Sequence, residues 1–156
     1  MTNMIEKARE QILSLVGAAY AAAAGAGELP EGVAVNANVE IPKDVANGDY
    51  TTTFALAAAK AMKKNPREIA QILLNHLDLE GSYFASAEIA GPGFLNFRLA
   101  ESWYRELLEA VEREDSAYGT NDRMKGQKVM VEFVSANPTG PMHMGNARGG
   151  VLGDTL

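Results

Sequence analysis

The sequence EFVSANPTGPMHMGNAR, residues 132–148, decides the fold predicted for the carboxyl-terminal part of the chain. Residues 128–134, which run into the start of this stretch, are mostly β-branched or apolar, and this predicts a short buried strand. Residues 145–156 contain no proline and have apolar side chains at helical spacing, which predicts the first turns of a helix. Strand, tight loop and helix thus follow one another, and open α/β sheets bind their ligands at such loops.

The predicted helix start has the chemistry of a nucleotide site. Its unpaired backbone N–H groups and partial positive charge favour an anion such as a triphosphate, and His143 lies at this start. Gly145 lacks a Cβ, so a base or a ribose can lie against the backbone. The run Pro-Met-His-Met-Gly-Asn, residues 141–146, therefore indicates nucleotide binding.

The longer run SANPTGPMHMGNARGGVLGDTL, residues 135–156, closely resembles the first signature of class I aminoacyl-tRNA synthetases in the form found in arginyl-tRNA synthetases. The pattern His-x-Gly-Asn is weak alone, but the match extends to Ser135, Asn137, Pro138, Gly140, Pro141, Arg148, Gly149, Gly153 and Asp154. Two upstream runs, GDYTTTFALAAAKAMKKNPREIA (48–70) and EIAGPGFLNFRL (88–99), resemble the extra amino-terminal module of the same family. The resemblance covers nearly the whole chain.

The resemblance implies roles for the signature, which consists of Ala136, Asn137, Pro138, Thr139, Gly140, Pro141, Met142, His143, Met144, Gly145 and Asn146. His143 would contact the ATP phosphates, where a donor stabilises charge that builds up at the α-phosphate. The adenine side of ATP would lie against Gly145. Asn146 replaces the usual second histidine. Its amide can donate a hydrogen bond but cannot serve as a general acid, and it can equally bond the backbone at the helix start.

The same resemblance assigns arginine binding to Glu132, Ser135, Asn137 and Asn146. A carboxylate at Glu132 would pair with a cationic amine or guanidinium, and the other side chains would supply neutral polar contacts. Each has a simpler alternative: Glu132 as a solvated strand residue, and Ser135 and Asn137 as turn formers before Pro138. Arg148 fits either a structural ion pair or a substrate contact.

Phe94 and Asn96 match family positions that contact a nucleotide of the tRNA D-loop. A ring can stack on a splayed base, and an amide can read its edge. On a regular strand these two positions share one face, which could also face the core. Without the resemblance, Phe94 would be interpreted as a core residue.

Composition narrows the class of protein. The chain has 156 residues, a formal charge of −6 and no cysteine, which excludes disulfides and thiolate metal sites. Its longest weakly polar run, 12–26, is too short to span a bilayer, so we expect a cytoplasmic protein without a membrane partner. The acidic balance argues against non-specific nucleic-acid binding and a DNA partner. The one basic cluster, Lys60, Lys63, Lys64 and Arg67, is either an RNA contact or a solvated helix end.

Periodicity predicts the upstream elements. Helices are expected at 2–24, 51–62 and 101–113, with Trp103, Leu107, Leu108 and Val111 of the last one facing inward. Another helix, 66–77, is expected to begin with Asn65 as cap and Glu68 reaching back to it, and His76 within it is interpreted as a packing or surface residue. Alternation predicts a strand at 33–41, and two further strands at 83–89 and 94–99 flank a Gly-Pro-Gly corner.

These elements predict an α+β fold: a two-layer amino-terminal module with a small antiparallel sheet at 1–115, a linker at 116–127, and the first β-α unit of a Rossmann-like catalytic domain at 128–156. The resemblance implies an arginine–tRNA ligase with arginine tRNA, L-arginine and ATP as partners, and with Mg²⁺ accompanying ATP. The chain would then be a fragment, inactive alone, that lacks a second signature. The competing hypothesis is a stand-alone RNA-binding or interaction module, which a natural stop after Leu156 would favour.

Overall fold

A computed structural model describes residues 3–137 and 140–155, which fall into two compact units, Met1–Gly119 and Thr120–Leu156. The first unit has eight helices and strands within its described residues. They are α1 Met4–Gly25, β1 Val39–Glu40, β2 Tyr50–Thr52, α2 Phe54–Met62, α3 Pro66–Asn75, β3 Phe84–Ala90, β4 Phe94–Leu99 and α4 Glu101–Glu114. The strands form one antiparallel sheet in the order β1-β2-β4-β3. The predicted α+β fold with a small antiparallel sheet is confirmed.

One face of this sheet forms the core with the helices. Tyr50, Phe84, Leu95 and Phe97 belong to a single buried cluster with α1–α4. The helical spacing of α1 supplies its largest share, namely Met4, Ala8, Ile12, Val16, Ala19 and Ala23. The ring centroids of Phe84 and Phe97 lie 5.3 Å apart, close to edge-on. Because neighbouring residues of a strand point to opposite faces, residues 94 and 96 point away from this core.

The first predicted strand is much shorter than its pattern. Residues 33–39 alternate between half-buried and exposed side chains, as predicted, yet backbone pairing is confined to Val39–Glu40. Val33, Val35 and Ala37 pack against the core from an extended segment outside the sheet. The alternation of apolar and polar residues therefore reflects burial of one side of this segment. Such burial does not require the segment to pair with a neighbouring strand.

The predicted helix 51–62 begins three residues late. Tyr50–Thr52 forms β2, and α2 starts at Phe54. Thr51 and Thr52 pair with Asn96 and Leu95 of β4, so tertiary pairing overrides the local pattern.

The start of α3 agrees with prediction in one part only. Asn65 caps the helix, because its Oδ1 accepts a hydrogen bond of 2.9 Å from the N–H of Arg67. Glu68 does not reach back to the cap; its carboxylate pairs with Lys64 Nζ at 3.0 Å. His76 ends the helix and its Nε2 lies 3.1 Å from Glu28 Oε1 at the surface, in line with a packing role.

The predicted inward face of α4 is too wide. Trp103 is buried, and its indole N–H donates to the carbonyl of Met4 at 3.2 Å. Leu108 is 65% exposed and Val111 37% exposed, so their prediction as inward residues is wrong. The helix contacts α1 through the Trp103–Met4 bond and the Lys7–Glu106 pair, and Leu108 and Val111 lie outside this contact.

A surface cluster joins α1, α4 and the start of β3. Glu106 accepts hydrogen bonds from Lys7 Nζ at 2.9 Å and from the Tyr83 hydroxyl at 2.7 Å. The hydrogen bond from Lys7, followed by that from Tyr83, holds the pKa of Glu106 below its ordinary value of 4.5. A carboxyl with a lowered pKa stabilises the fold above its unfolded pKa, and this contribution disappears as the pH falls through the folded pKa.

We therefore expect Glu106→Gln to lower the free energy of unfolding at neutral pH by under about 1 kcal/mol, because the pair is exposed to solvent. Thermal unfolding measured across pH should show the difference from wild type shrinking below pH 4.5, the ordinary carboxyl value. Glu109→Gln, on an exposed part of the same helix, is the matched control. A Glu106→Gln deficit that persists undiminished in acid would refute the electrostatic explanation.

The second unit contains the helix α5, Met144–Thr155, at the predicted position. The predicted buried strand at 128–134 is wrong: these residues form no strand, and Val129, Met130, Val131, Phe133 and Val134 are exposed by 38% or more. A strand needs a neighbour for its backbone groups, and no described segment pairs with this one. The segment instead packs on α5, where the ring of Phe133 leaves no room for a Cβ at Gly153.

No helix among the described residues combines the length and the apolar character that crossing a membrane requires.

Candidate functional sites

A polar row crosses the face of the sheet that points away from the core. Glu40, Thr51, Asn96 and Glu88 are successive cross-strand partners on β1, β2, β4 and β3. Cross-strand partners share a face, so all four side chains lie on the outward side. Phe94, paired with Ala90, lies on the same face one step along. Glu40, Thr51, Asn96 and Phe94 form the floor of the first candidate site.

The connection between β1 and β2 forms one wall of this site. Arg98 Nη2 donates to the carbonyl of Ala46 at 2.7 Å, and the N–H of Asp49 donates to the carbonyl of Phe97 at 2.9 Å. The Asp49 carboxylate accepts a further bond of 2.8 Å from the N–H of Leu99. These bonds tie the loop to β4 and hold it over the outward face of the sheet.

The β3–β4 turn forms the opposite wall and is fixed to the start of α3. Gly93 has a φ of +138°, and a Cβ there would come within 2.8 Å of the Pro66 backbone, so only glycine fits. Arg67 Nη1 donates to the carbonyl of Gly91 at 3.1 Å. Arg67 and Lys64, two members of the predicted basic cluster, thus have partners within the protein.

The floor and walls border a half-open cavity of about 460 Å³. Its lining consists of Glu40, Ile41, Pro42, Lys43, Asn47, Thr51, Ala90, Gly91, Pro92, Phe94 and Asn96. Phe94 is half-buried and outside the core cluster, and Asn96 is 3% exposed beneath the loop. Sequence analysis selected Phe94 and Asn96 but missed Thr51 and the loop, because only the pairing of β2 with β4 brings them together.

The second candidate site lies at the start of α5. His143 Nδ1 accepts a hydrogen bond of 3.1 Å from the N–H of Gly145. Asn146 Oδ1 accepts one of 3.1 Å from the N–H of His143. The two side chains cap the helix reciprocally, as in a capping box. With Nδ1 accepting, the proton of the neutral ring is on Nε2, which can donate outward from an exposed side chain.

The other predicted residues of this site occupy two places in the second unit. Asn137 lines a cavity of about 260 Å³ together with His143 and Asn146. Ala136, Gly140, Pro141 and Met142 complete its lining. The Ser135 hydroxyl donates a hydrogen bond to the Glu132 carboxylate. Both residues are exposed and do not line that cavity. Pro138 and Thr139 of the predicted signature are outside the described residues.

The backbone bond made by Asn146 is the simpler of its two predicted roles. Gly145 lies directly beside the imidazole, since a Cβ on it would be 2.9 Å from His143 Cε1. Met144 and Ala147 line a neighbouring cavity of about 530 Å³ that also borders His143. Arg148 is exposed on the same helix. The backbone N–H groups of His143 and Gly145, which the sequence led us to expect unpaired, are thus used in the cap, and Nε2 of the exposed His143 side chain remains as a donor for a ligand.

Comparison with known proteins first defines the fold. The crystal structure of arginyl-tRNA synthetase from Plasmodium falciparum matches with a TM-score of 0.57 over 94% of this chain and 27% of that chain, at 16% sequence identity. At this identity the match establishes a fold shared with part of that synthetase structure.

The sequence then defines the family. Residues 6–99 match the family model described as the arginyl tRNA synthetase N terminal domain. The arginine–tRNA ligase of Acetivibrio thermocellus is 47% identical over 156 residues, and that of Desulfitobacterium hafniense is 48% identical over 131 residues, or 84% of this chain. The chain belongs to the arginyl-tRNA synthetase family. It spans 28% of the Acetivibrio relative and 23% of the Desulfitobacterium relative.

Proposed function

We propose that this chain is the amino-terminal part of an arginine–tRNA ligase that acts in the cytoplasm. The observation that carries the proposal is the identity of 40–48% to curated arginine–tRNA ligases across most or all of the chain. In this proposal the first unit contacts the D-loop of arginine tRNA, and the second unit begins a Rossmann-like class I catalytic domain that binds ATP and arginine.

The cavity on the sheet supports the tRNA contact. Its volume of about 460 Å³ suits one nucleotide, and it brings a half-buried aromatic ring at Phe94 next to an amide at Asn96. A base could stack on the ring while its edge meets the amide. The chain's charge of −6 favours such local base recognition over a broad phosphate contact.

The start of α5 supports the nucleotide contact. The carboxylate of arginine attacks the α-phosphorus of ATP, a carboxyl–phosphorus bond forms, and pyrophosphate leaves. Negative charge grows on the phosphoryl oxygens, and the outward Nε2–H of His143 is a donor that such oxygens can accept. Gly145 has no side chain that would collide with the imidazole, so His143 can keep this position. Asn146 acts chiefly by capping the helix.

Glu132 supplies the charge complementary to the arginine side chain. Its bond to Ser135 limits the orientations of the carboxylate, and Asn137 offers an amide near His143. Mg²⁺ would enter with ATP on the phosphate oxygens. In the described part of the chain, no three acidic or histidine side chains come together as a metal site.

The test uses the full-length product of the gene that encodes this sequence. Each of the twenty amino acids is offered with ATP and arginine tRNA, and acid-stable charging of the tRNA is measured. We expect charging with arginine alone and dependence on ATP. Charging with a different amino acid, or none with arginine, would overturn the proposal.

A further inference from the structure

One hydroxyl in the floor of the sheet cavity has no hydrogen-bond partner among the described residues. Thr51 is 8% exposed, and its Oγ1 is buried without a hydrogen bond to any described residue. A buried hydroxyl that gives up water without gaining a bond is unfavourable, and native proteins contain few of them. Such a group therefore requires an explanation.

The hydroxyls of the two threonines that follow Thr51 both have hydrogen-bond partners, so this part of the backbone does not by itself leave a threonine hydroxyl unpaired. Thr52 Oγ1 donates to the carbonyl of Asn38 at 3.0 Å. Thr53 Oγ1 accepts a bond of 3.4 Å from the N–H of the same residue. Both side chains are satisfied by the chain segment before β1. Thr51 lies on the opposite face from Thr52 and is one of the residues that line the cavity.

The position of Thr51 matches that of a ligand contact. Its Cα partner across β2 and β4 is Asn96, so hydroxyl and amide stand side by side on one row of the floor. The loop tied down by Arg98 and Asp49 borders this floor. Because the Oγ1 atom itself is covered in the free protein, its bond to a group in the cavity requires a rotation of the Thr51 side chain.

The lining indicates which chemistry enters. Phe94 offers a flat apolar ring, and Asn96 and Thr51 offer adjacent donors and acceptors. Lys43 on the loop wall offers a cation for a phosphate. A flat ring with a polar edge and an attached phosphate is an unpaired nucleotide.

We propose that Thr51 is a specificity-determining residue of this cavity, and that its hydroxyl bonds the edge of the bound base beside Asn96. The proposal rests on the proposed tRNA-binding function and adds a residue to it. The hydroxyl is unpaired in the free protein and becomes paired in the complex.

This assignment predicts that one substitution, Thr51→Val, keeps or raises the stability of the free protein and weakens its use of tRNA. Thr51→Val keeps the shape of the side chain and removes an unpaired buried hydroxyl, so the free protein should unfold at an equal or higher temperature. The same change removes one hydrogen bond from the complex, so kcat/KM for tRNA should fall by about 5-fold. A hydroxyl with a structural role would give a lower unfolding temperature instead.

The experiment compares full-length wild type, Thr51→Val, Thr51→Ser and Phe94→Ala. Substrates are arginine tRNA transcripts with each of the four bases at each unpaired D-loop position in turn. We expect Thr51→Val to lower kcat/KM for the preferred base and to compress the differences among bases, with KM for arginine and ATP unchanged. Thr51→Ser, which keeps the hydroxyl, should stay near wild type.

Three results would overturn the proposal, and they are distinguishable. If Phe94→Ala is impaired while Thr51→Val charges like wild type, the cavity binds tRNA and Thr51 has no part in recognition. If Thr51→Val unfolds at a lower temperature, the hydroxyl is structural. If folded Phe94→Ala charges tRNA like wild type, the proposed tRNA contact itself fails and the inference fails with it.

Discussion

We expect His143→Ala to lower kcat for arginine charging by about 100-fold or more, while KM for tRNA stays nearly unchanged. Removing one donor aimed at developing charge typically costs a factor of about 10²–10³. The Nδ1 atom is used by the Gly145 N–H, which leaves Nε2–H to donate to a ligand, so the loss falls on the proposed phosphoryl contact. Steady-state kinetics with arginine, ATP and tRNA varied in turn measure the three constants.

The control for this substitution must preserve the helix cap, because His143 also begins α5. Loss of a cap costs about 1 kcal/mol, and asparagine is among the best capping residues. His143→Asn therefore keeps the cap and removes the ring donor. We expect it to be as slow as His143→Ala. If His143→Asn retains wild-type turnover, the imidazole contributes only to the helix start.

The second large effect is expected for Phe94→Ala in the full-length enzyme. Loss of one base stacked on an aromatic ring should weaken tRNA use by about 1–3 kcal/mol in kcat/KM. KM for arginine and ATP should change little, because those ligands are assigned to the other unit. Asn96→Ala should cost about 1 kcal/mol through lost hydrogen bonds.

Phe94→Leu separates stacking from packing, since leucine keeps apolar bulk without a flat ring. We expect Phe94→Leu to unfold like wild type and to charge tRNA nearly as poorly as Phe94→Ala. Phe94 is outside the core cluster, so neither change should cost the roughly 3–5 kcal/mol typical of a lost core ring. Wild-type charging by folded Phe94→Leu would contradict the stacking assignment.

The sequence predicted elements whose signals are local. The apolar spacing of α1, the Asn65 cap of α3 and the Gly-Pro-Gly corner between β3 and β4 each lie within a few residues. It did not predict β2, because three residues have no measurable period and their strand is set by pairing with β4. It overestimated the strand at 33–41 because alternation records burial, which an extended segment outside a sheet also shows.

The second unit shows how an apolar run can mislead. Residues 128–134 were predicted as a buried strand from composition, but a strand is defined by its neighbours as much as by its own residues. Val134 has a φ of +57°, a costly conformation for a β-branched side chain, and this turns the chain before Ser135. The helix after it was predicted correctly from the absence of proline and the apolar spacing over 145–156, and its cap, made by His143 and Asn146, is equally local in sequence.

For the sheet site, the sequence indicated that Phe94 and Asn96 share a face but left open which face. The structure resolves this choice, because Leu95 and Phe97 between and beside them belong to the core. The remaining wall comes from a loop some fifty residues upstream, held by Arg98 and Asp49. An arrangement that joins residues so far apart in the sequence has no signature in a single sequence.

The most direct test of the central claim, that the outward face of this sheet binds the tRNA D-loop, is a crosslink from position 94. A photoreactive phenylalanine analogue replaces Phe94 in the full-length enzyme, the complex with arginine tRNA is irradiated, and the linked nucleotide is mapped. The account predicts one principal crosslink, in the D-loop, that excess unlabelled arginine tRNA abolishes. A principal crosslink in the anticodon or acceptor arm, or none from an enzyme that still charges tRNA, would contradict it.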